Sequence, residues 1–282
     1  MLDIFLTPIR AFRMRYIPLL LIYFSYGSGV FTAIAENFWV KDTLDLTASD
    51  LAELAVWLGV PWTVKMIFGS LVDSVNIFGS NRKSYVYIGA LLITISSLMM
   101  IAVVGDYAIV ENFPKKAVYI LASVIAVVGF VMQDVVADTM TTEVVDKSQP
   151  QEKINQELAT IQVLARLSLG FAIFITGWVG GELADVFHDH REVVFQIALF
   201  VPLLSILGVS LVKLNPVPVS PVNKHVLYGG LIFAVFIVLM GYNDVPYSQE
   251  IVFVISLSVV LYLLSDLIND LDASTIRHIK MA

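Results

Sequence analysis

The chain has 282 residues, no cysteine and a formal charge of −7. Its mean hydropathy is +0.83 and only 15% of its residues are charged, against roughly a quarter in soluble domains. A soluble fold of this length could not bury so much hydrocarbon. The acidic balance argues against a nucleic-acid partner, which needs Lys and Arg to neutralise phosphates. The missing cysteines exclude disulfides, thiolate zinc sites and iron–sulfur clusters.

Residues 1–16 form an N-terminal segment with Arg10, Arg13 and Arg15 ahead of the first long apolar run. Ala33-Ile34-Ala35 has the look of a signal-peptidase site. The run over 17–35 is nevertheless longer than the roughly 7–15 residues of a signal h-region, so it predicts an uncleaved helix. In lipid the backbone must satisfy its own hydrogen bonds, and apolar stretches of about 20 residues become helices. Eight are expected, at 17–35, 51–72, 84–105, 117–140, 157–180, 193–212, 226–241 and 250–268. The seventh is short and precedes Gly241-Tyr242-Asn243-Asp244, which suits a tight hairpin with the eighth.

The stretch KLNPVPVSPVNK carries three prolines and no helical period, and reads as a cytoplasmic linker over 213–225. The expected plan is therefore all-α and integral to a membrane. It has a cytoplasmic segment 1–16, a six-helix half 17–212, the linker, and two further helices with a cytoplasmic tail over 226–282. That last part reads as the start of an incomplete second half. Six-helix halves of secondary transporters are built from two three-helix inverted repeats.

Lys and Arg in the connecting segments set the orientation. With the N-terminus inside, 11 of these residues fall on the inner side and four (Lys41, Lys115, Lys116 and Arg191) on the outer. This predicts a multi-pass protein of the cell's inner or plasma membrane with both termini cytoplasmic.

Two basic residues remain, Lys65 and Arg166, and both lie inside predicted spans. A charge near the bilayer centre costs at least ~2.5–3.5 kcal/mol, so it is paired and usually functional. Asp134 and Asp138, four apart, share one face of the fourth span. Lys65 and Asp134 lie at a similar depth, with Gln133 and Gln162 nearby. Either the four charges pair to pin the helices, or they line a polar cavity in which Lys65 and Arg166 attract an anionic small molecule. In the second case a desolvated carboxylate exchanges a coupling proton.

Ala172, Thr176 and Gly180 form a small-residue stripe suited to close helix contact. Tyr23, Tyr26 and Trp39 read as interface or packing aromatics. His188-Asp189-His190 lacks the further ligands a metal site needs. No phosphate loop and no nucleophile elbow is present. The expectation is no enzyme, no cofactor and no metal.

Two stretches carry a resemblance. PWTVKMIFGSLVDSVNIFGSNRKSY at 61–85 and GFVMQDVVADTM at 129–140 resemble the second helix with its loop, and the fourth helix, of the folate–biopterin transporter family, a branch of the major facilitator superfamily. The fifth span, with Arg166, Gly170 and Gly180-Gly181, is similar too. The resemblance covers about 15–215. It implies an alternating-access carrier, often proton-coupled (a symporter), for folates or pterins. It also implies that Lys65, Asp134, Asp138 and Arg166 belong to the solute and proton pathway, and that Gly69, Asp73, Gly79, Arg82 and Lys83 form a gating loop. A short basic loop of this kind can lock onto a carboxylate or helix end in one state and release it in another. Family members normally carry a second six-helix half, so a missing carboxy-terminal half or a second chain is expected as partner, besides the solute and the bilayer. A non-transporting membrane scaffold or assembly factor on the same frame is the alternative.

Overall fold

The computed structural model describes residues 12–44, 46–80, 82–214, 224–242, 247, 250–258 and 261. Six helical runs in it are long and apolar enough to cross a membrane: α1 Met14–Thr43, α2 Ala48–Ser74, α3 Lys83–Val104, α4 Lys115–Glu143, α5 Gln151–Val186 and α6 Glu192–Leu211. They match the first six expected spans. A further helix, α7 Lys224–Tyr242, lies on the seventh, and residues 250–258 are helical at the start of the eighth. The rest of the eighth, and 215–223 of the linker, fall outside the described residues. By contacts the chain divides into two compact units, Met1–Leu227 and Tyr228–Ala282.

Local chemistry sets the helix ends. Thr47 caps α2 through a reciprocal box: its hydroxyl accepts from the Asp50 N–H at 3.2 Å, and the Asp50 carboxylate accepts from the Thr47 N–H at 2.8 Å. Pro114 and Pro150 immediately precede α4 and α5, where a missing N–H breaks no helical bond. Between them, Asp146 accepts from the N–H and hydroxyl of Ser148, at 3.0 and 2.7 Å. Those bonds hold its carboxyl below the ordinary range. Inside α2, Pro61 removes one rung of the ladder, and the helix breaks at Val64 to restart at Lys65.

The main helix pairings are α3 with α4, α1 with α6, α1 with α5, α2 with α4, α3 with α6, and α1 with α4. Exchanging the first three helices for the last three converts the first pairing into the second and the third into the fourth, and leaves the other two unchanged. Consecutive spans alternate in direction, so α1 and α4 run oppositely. The six helices are thus two three-helix repeats in inverted relation.

Close helix contact depends on small residues. Gly89 and Gly129 face each other where α3 crosses α4, and a Cβ on either would lie 2.9 Å from the other's carbonyl oxygen. Ala172, Thr176 and Gly180 are all buried along α5, and a Cβ at Gly180 would fall on the Phe31 carbonyl of α1. Packing is the role expected of this stripe.

Candidate functional site

The four intramembrane charges meet. The Lys65 ammonium, on the first residue after the break in α2, donates to Asp134 and lies 3.3 Å from Asp138 Oδ2. Arg166 of α5 reaches Asp138 Oδ1 at 3.4 Å. The Tyr23 hydroxyl of α1 donates to the same oxygen at 2.7 Å. Asp138 is therefore shared by α1, α2 and α5 around its own helix α4. Asp134 is buried, and its Oδ1 has no hydrogen-bond partner among the described residues. The Arg166 side chain is 59% exposed and lies 6.0 Å from the Tyr23 ring.

The two glutamines are elsewhere. One residue along a helix turns the side chain by about 100°, so Gln133 faces away from its neighbour Asp134. It accepts from the Ser205 hydroxyl at 2.9 Å, and the Ser205 and Ser25 hydroxyl oxygens lie 2.6 Å apart. That fully buried trio ties α4, α6 and α1 together. Gln162 is exposed on α5. Tyr23, read as a packing aromatic, instead supplies a donor to the charged cluster.

Arg82, 8% exposed, joins three elements at the bundle end near Met14. It pairs with Asp73 at 2.8 Å and with Glu143, the last residue of α4, at 2.7 Å, and it donates to the Val72 carbonyl at 2.6 Å. Phe78 and Gly79 both have positive φ, 50° and 78°. They form a two-residue turn closed by Ile77 N to Ser80 O at 3.3 Å and Ser80 N to Ile77 O at 3.1 Å. Ser80 then accepts from the N–H groups of Arg82 and Lys83, at 3.3 and 3.0 Å, and starts α3. A Cβ built on Gly69 would lie 3.9 Å from Val135 Cγ1 of α4. The loop thus places Arg82 on a carboxylate and beside a helix end.

Several ion pairs of the bundle join residues whose partners the sequence does not mark. At the Met14 end the buried Glu157 of α5 accepts from Arg15, from the Tyr16 hydroxyl at 2.6 Å and from Gln149 at 3.1 Å. At the opposite end Arg191, which precedes α6, pairs with Asp42 near the end of α1 at 2.8 Å. Under the repeat exchange this pair is the counterpart of Arg82, which precedes α3, with Glu143 at the end of α4.

A cavity of about 390 Å³ occupies the half of the unit toward that opposite end. Tyr26, Trp62 and Phe130 form its aromatic wall, with ring centroids 5.9 Å apart for Tyr26 and Trp62 and 6.2 Å for Tyr26 and Phe130. None of the four charged residues lines it; its one charged side chain is Glu36 of α1, which accepts from the Tyr119 hydroxyl at 3.0 Å. Among the described residues, no group of three or more His, Asp and Glu side chains is placed to hold a metal ion.

Residues 27–228 match the BT1 family. The chain is similar to a folate-biopterin transporter of Synechocystis sp. (strain ATCC 27184 / PCC 6803 / Kazusa), 26% identical over 217 residues, which are 72% of this chain and 40% of that protein. It is also similar to a probable folate-biopterin transporter 4 of Arabidopsis thaliana, 26% identical over 219 residues, 76% of this chain and 41% of that protein. The chain spans about two-fifths of the length of these relatives. With the match running from α1 into α7, this membrane protein belongs to the BT1 family.

Proposed function

We propose that the chain is the six-helix part of a secondary carrier for a small anionic organic solute, folate- or pterin-like, moved by proton-coupled alternating access. The observation that carries the proposal is the sharing of Asp138 among Tyr23, Lys65 and Arg166, with the half-exposed Arg166 reaching Asp138 at 3.4 Å. A guanidinium so placed can leave Asp138 for a solute carboxylate and return when the solute departs. Asp134 Oδ1, without a hydrogen-bond partner among the described residues, is the place for the coupling proton, which reaches it as Lys65 shifts to Asp138. Arg82 with Glu143 and Asp73, and Arg15 with Glu157, latch one end of the bundle, and Arg191 with Asp42 the other. Alternating access needs such latches to break in turn.

Arg166→Lys tests the solute contact. An ammonium cannot reproduce the planar two-point grip of a guanidinium on a carboxylate. Losing one charge-assisted hydrogen bond of about 1.5 kcal/mol raises the KM for folate uptake about tenfold. The measurement is concentration-dependent uptake by cells expressing the protein at matched levels. An unchanged KM would remove Arg166 from the solute path.

The orientation is proposed from the basic residues, with both termini cytoplasmic. Ser148, exposed between α4 and α5, then faces the cytoplasm. In a chain without native cysteine, a Ser148→Cys variant is expected to resist an impermeant thiol reagent in intact cells and to react after permeabilisation. Labelling in intact cells would invert the topology.

A further inference from the structure

The cavity beside Glu36 differs chemically from the charged cluster. Four serines line it, and each hydroxyl already donates to a helix carbonyl: Ser28 to Phe24 at 2.8 Å, Ser96 to Ala122 at 2.7 Å, Ser97 to Ile93 at 2.9 Å and Ser123 to Tyr119 at 2.9 Å. Their oxygens keep free lone pairs and no free hydrogen. Glu36 adds a carboxylate, and among the described residues no cation lies within ion-pair distance of it. Oε1 holds the Tyr119 bond and can accept a second; Oε2 accepts none from the described residues. These groups ask a ligand for hydrogen-bond donors. The Tyr26, Trp62 and Phe130 rings favour a flat one, and about 390 Å³ is the size of a small-molecule site.

We propose that this cavity receives the heteroaromatic head of the solute, a planar ring bearing two adjacent N–H donors as in the 2-amino-4-oxo edge of a pterin, with the Glu36 carboxylate accepting both donors. The proposal rests on the folate- or pterin-like function above and names the group that selects the ring. Cations and acceptors are then divided along the unit. Arg166 and Lys65 serve an anionic tail, and Glu36 serves the head. Tyr23, which touches the charged cluster, and Glu36 stand roughly 20 Å apart along α1 at 1.5 Å per residue.

The test compares pterin with lumazine, in which a carbonyl oxygen replaces the 2-amino group, by equilibrium dialysis against the purified chain in lipid nanodiscs. The parental chain is expected to bind pterin at least tenfold more tightly, because lumazine sets an acceptor against a carboxylate. Glu36→Gln offers one acceptor and one donor, which complements the N–H and carbonyl of lumazine. The preference should fall to about twofold or reverse. Tyr119→Phe, which keeps the carboxylate, should retain it. Equal binding of the two rings by the parental chain, or an undiminished preference in a folded Glu36→Gln, overturns the inference. If Glu36→Gln does not fold, the parental ratio decides. Folate binding alongside a pterin-to-lumazine ratio near one refutes the role of Glu36 alone. Absence of folate and pteridine binding altogether refutes the proposed function with it.

Discussion

Lys65→Met is expected to destabilise the protein by about 3 kcal/mol, while Asp134→Leu costs less than half as much. Removing one member of a buried ion pair typically costs about 3–5 kcal/mol, because the other charge is left without its partner. Here the two partners are unequal. The Asp134 side chain is 5% exposed and depends on Lys65, so losing the ammonium strands a buried carboxylate. The Lys65 side chain is 35% exposed and keeps Asp138 at 3.3 Å when Asp134 is gone. In the double variant no charge is stranded, since Asp138 retains Arg166 and the Tyr23 hydroxyl. Its stability should return to within about 1 kcal/mol of the parent. Thermal unfolding of the four detergent-solubilised proteins measures the cycle. Equal losses in both singles would contradict the unequal dependence of the two partners, and additive losses in the double would show that Lys65 and Asp134 are not coupled.

Gly180→Ala should be at least as damaging, through sterics alone. The added methyl would coincide with the Phe31 carbonyl of α1, and that atom belongs to backbone that cannot swing aside. Helices α1 and α5 must separate, which breaks the stripe of Ala172 and Thr176 as well. Overpacking of this kind costs up to about 3 kcal/mol or more. Gly170 on the same helix has nothing within 4 Å of a built Cβ. Gly170→Ala should therefore be neutral, or stabilising by up to about 1 kcal/mol from helix propensity. Comparable melting temperatures for the two variants would contradict the described contact of α1 with α5.

The contrast between these glycines marks how far the sequence speaks. Six spans were legible because hydrocarbon forces the backbone to bond within each segment, and the small-residue stripe was visible by its spacing. The ends of the helices were less so. The expected 157–180 lengthens to Gln151–Val186 and 17–35 to Met14–Thr43, since polar turns such as Glu36 to Asp42 stay helical while lowering the hydropathy that locates a span. The grouping of Lys65, Asp134, Asp138 and Arg166 followed from the cost of burying charge and from their similar depths. Partners far apart in sequence did not follow. Nothing in the periodicity of α4 says that Glu143 meets Arg82, and nothing in that of α5 says that Glu157 meets Arg15 and Tyr16, because each span's pattern is silent on which helix lies beside it. Gln133 was drawn to the charges by adjacency alone, although its side chain points to Ser205.

Transport by the Lys65→Met, Asp134→Leu double variant separates a carrier from a scaffold most directly. Stability measured on the same preparation removes misfolding as an explanation, and uptake of folate and biopterin is followed in cells under an imposed proton gradient. A protein that is as stable as its parent yet takes up neither solute is the result expected of a carrier whose proton and solute share this cluster. Uptake at the parental rate by that well-folded variant would contradict it, and would leave the charges as pins between helices.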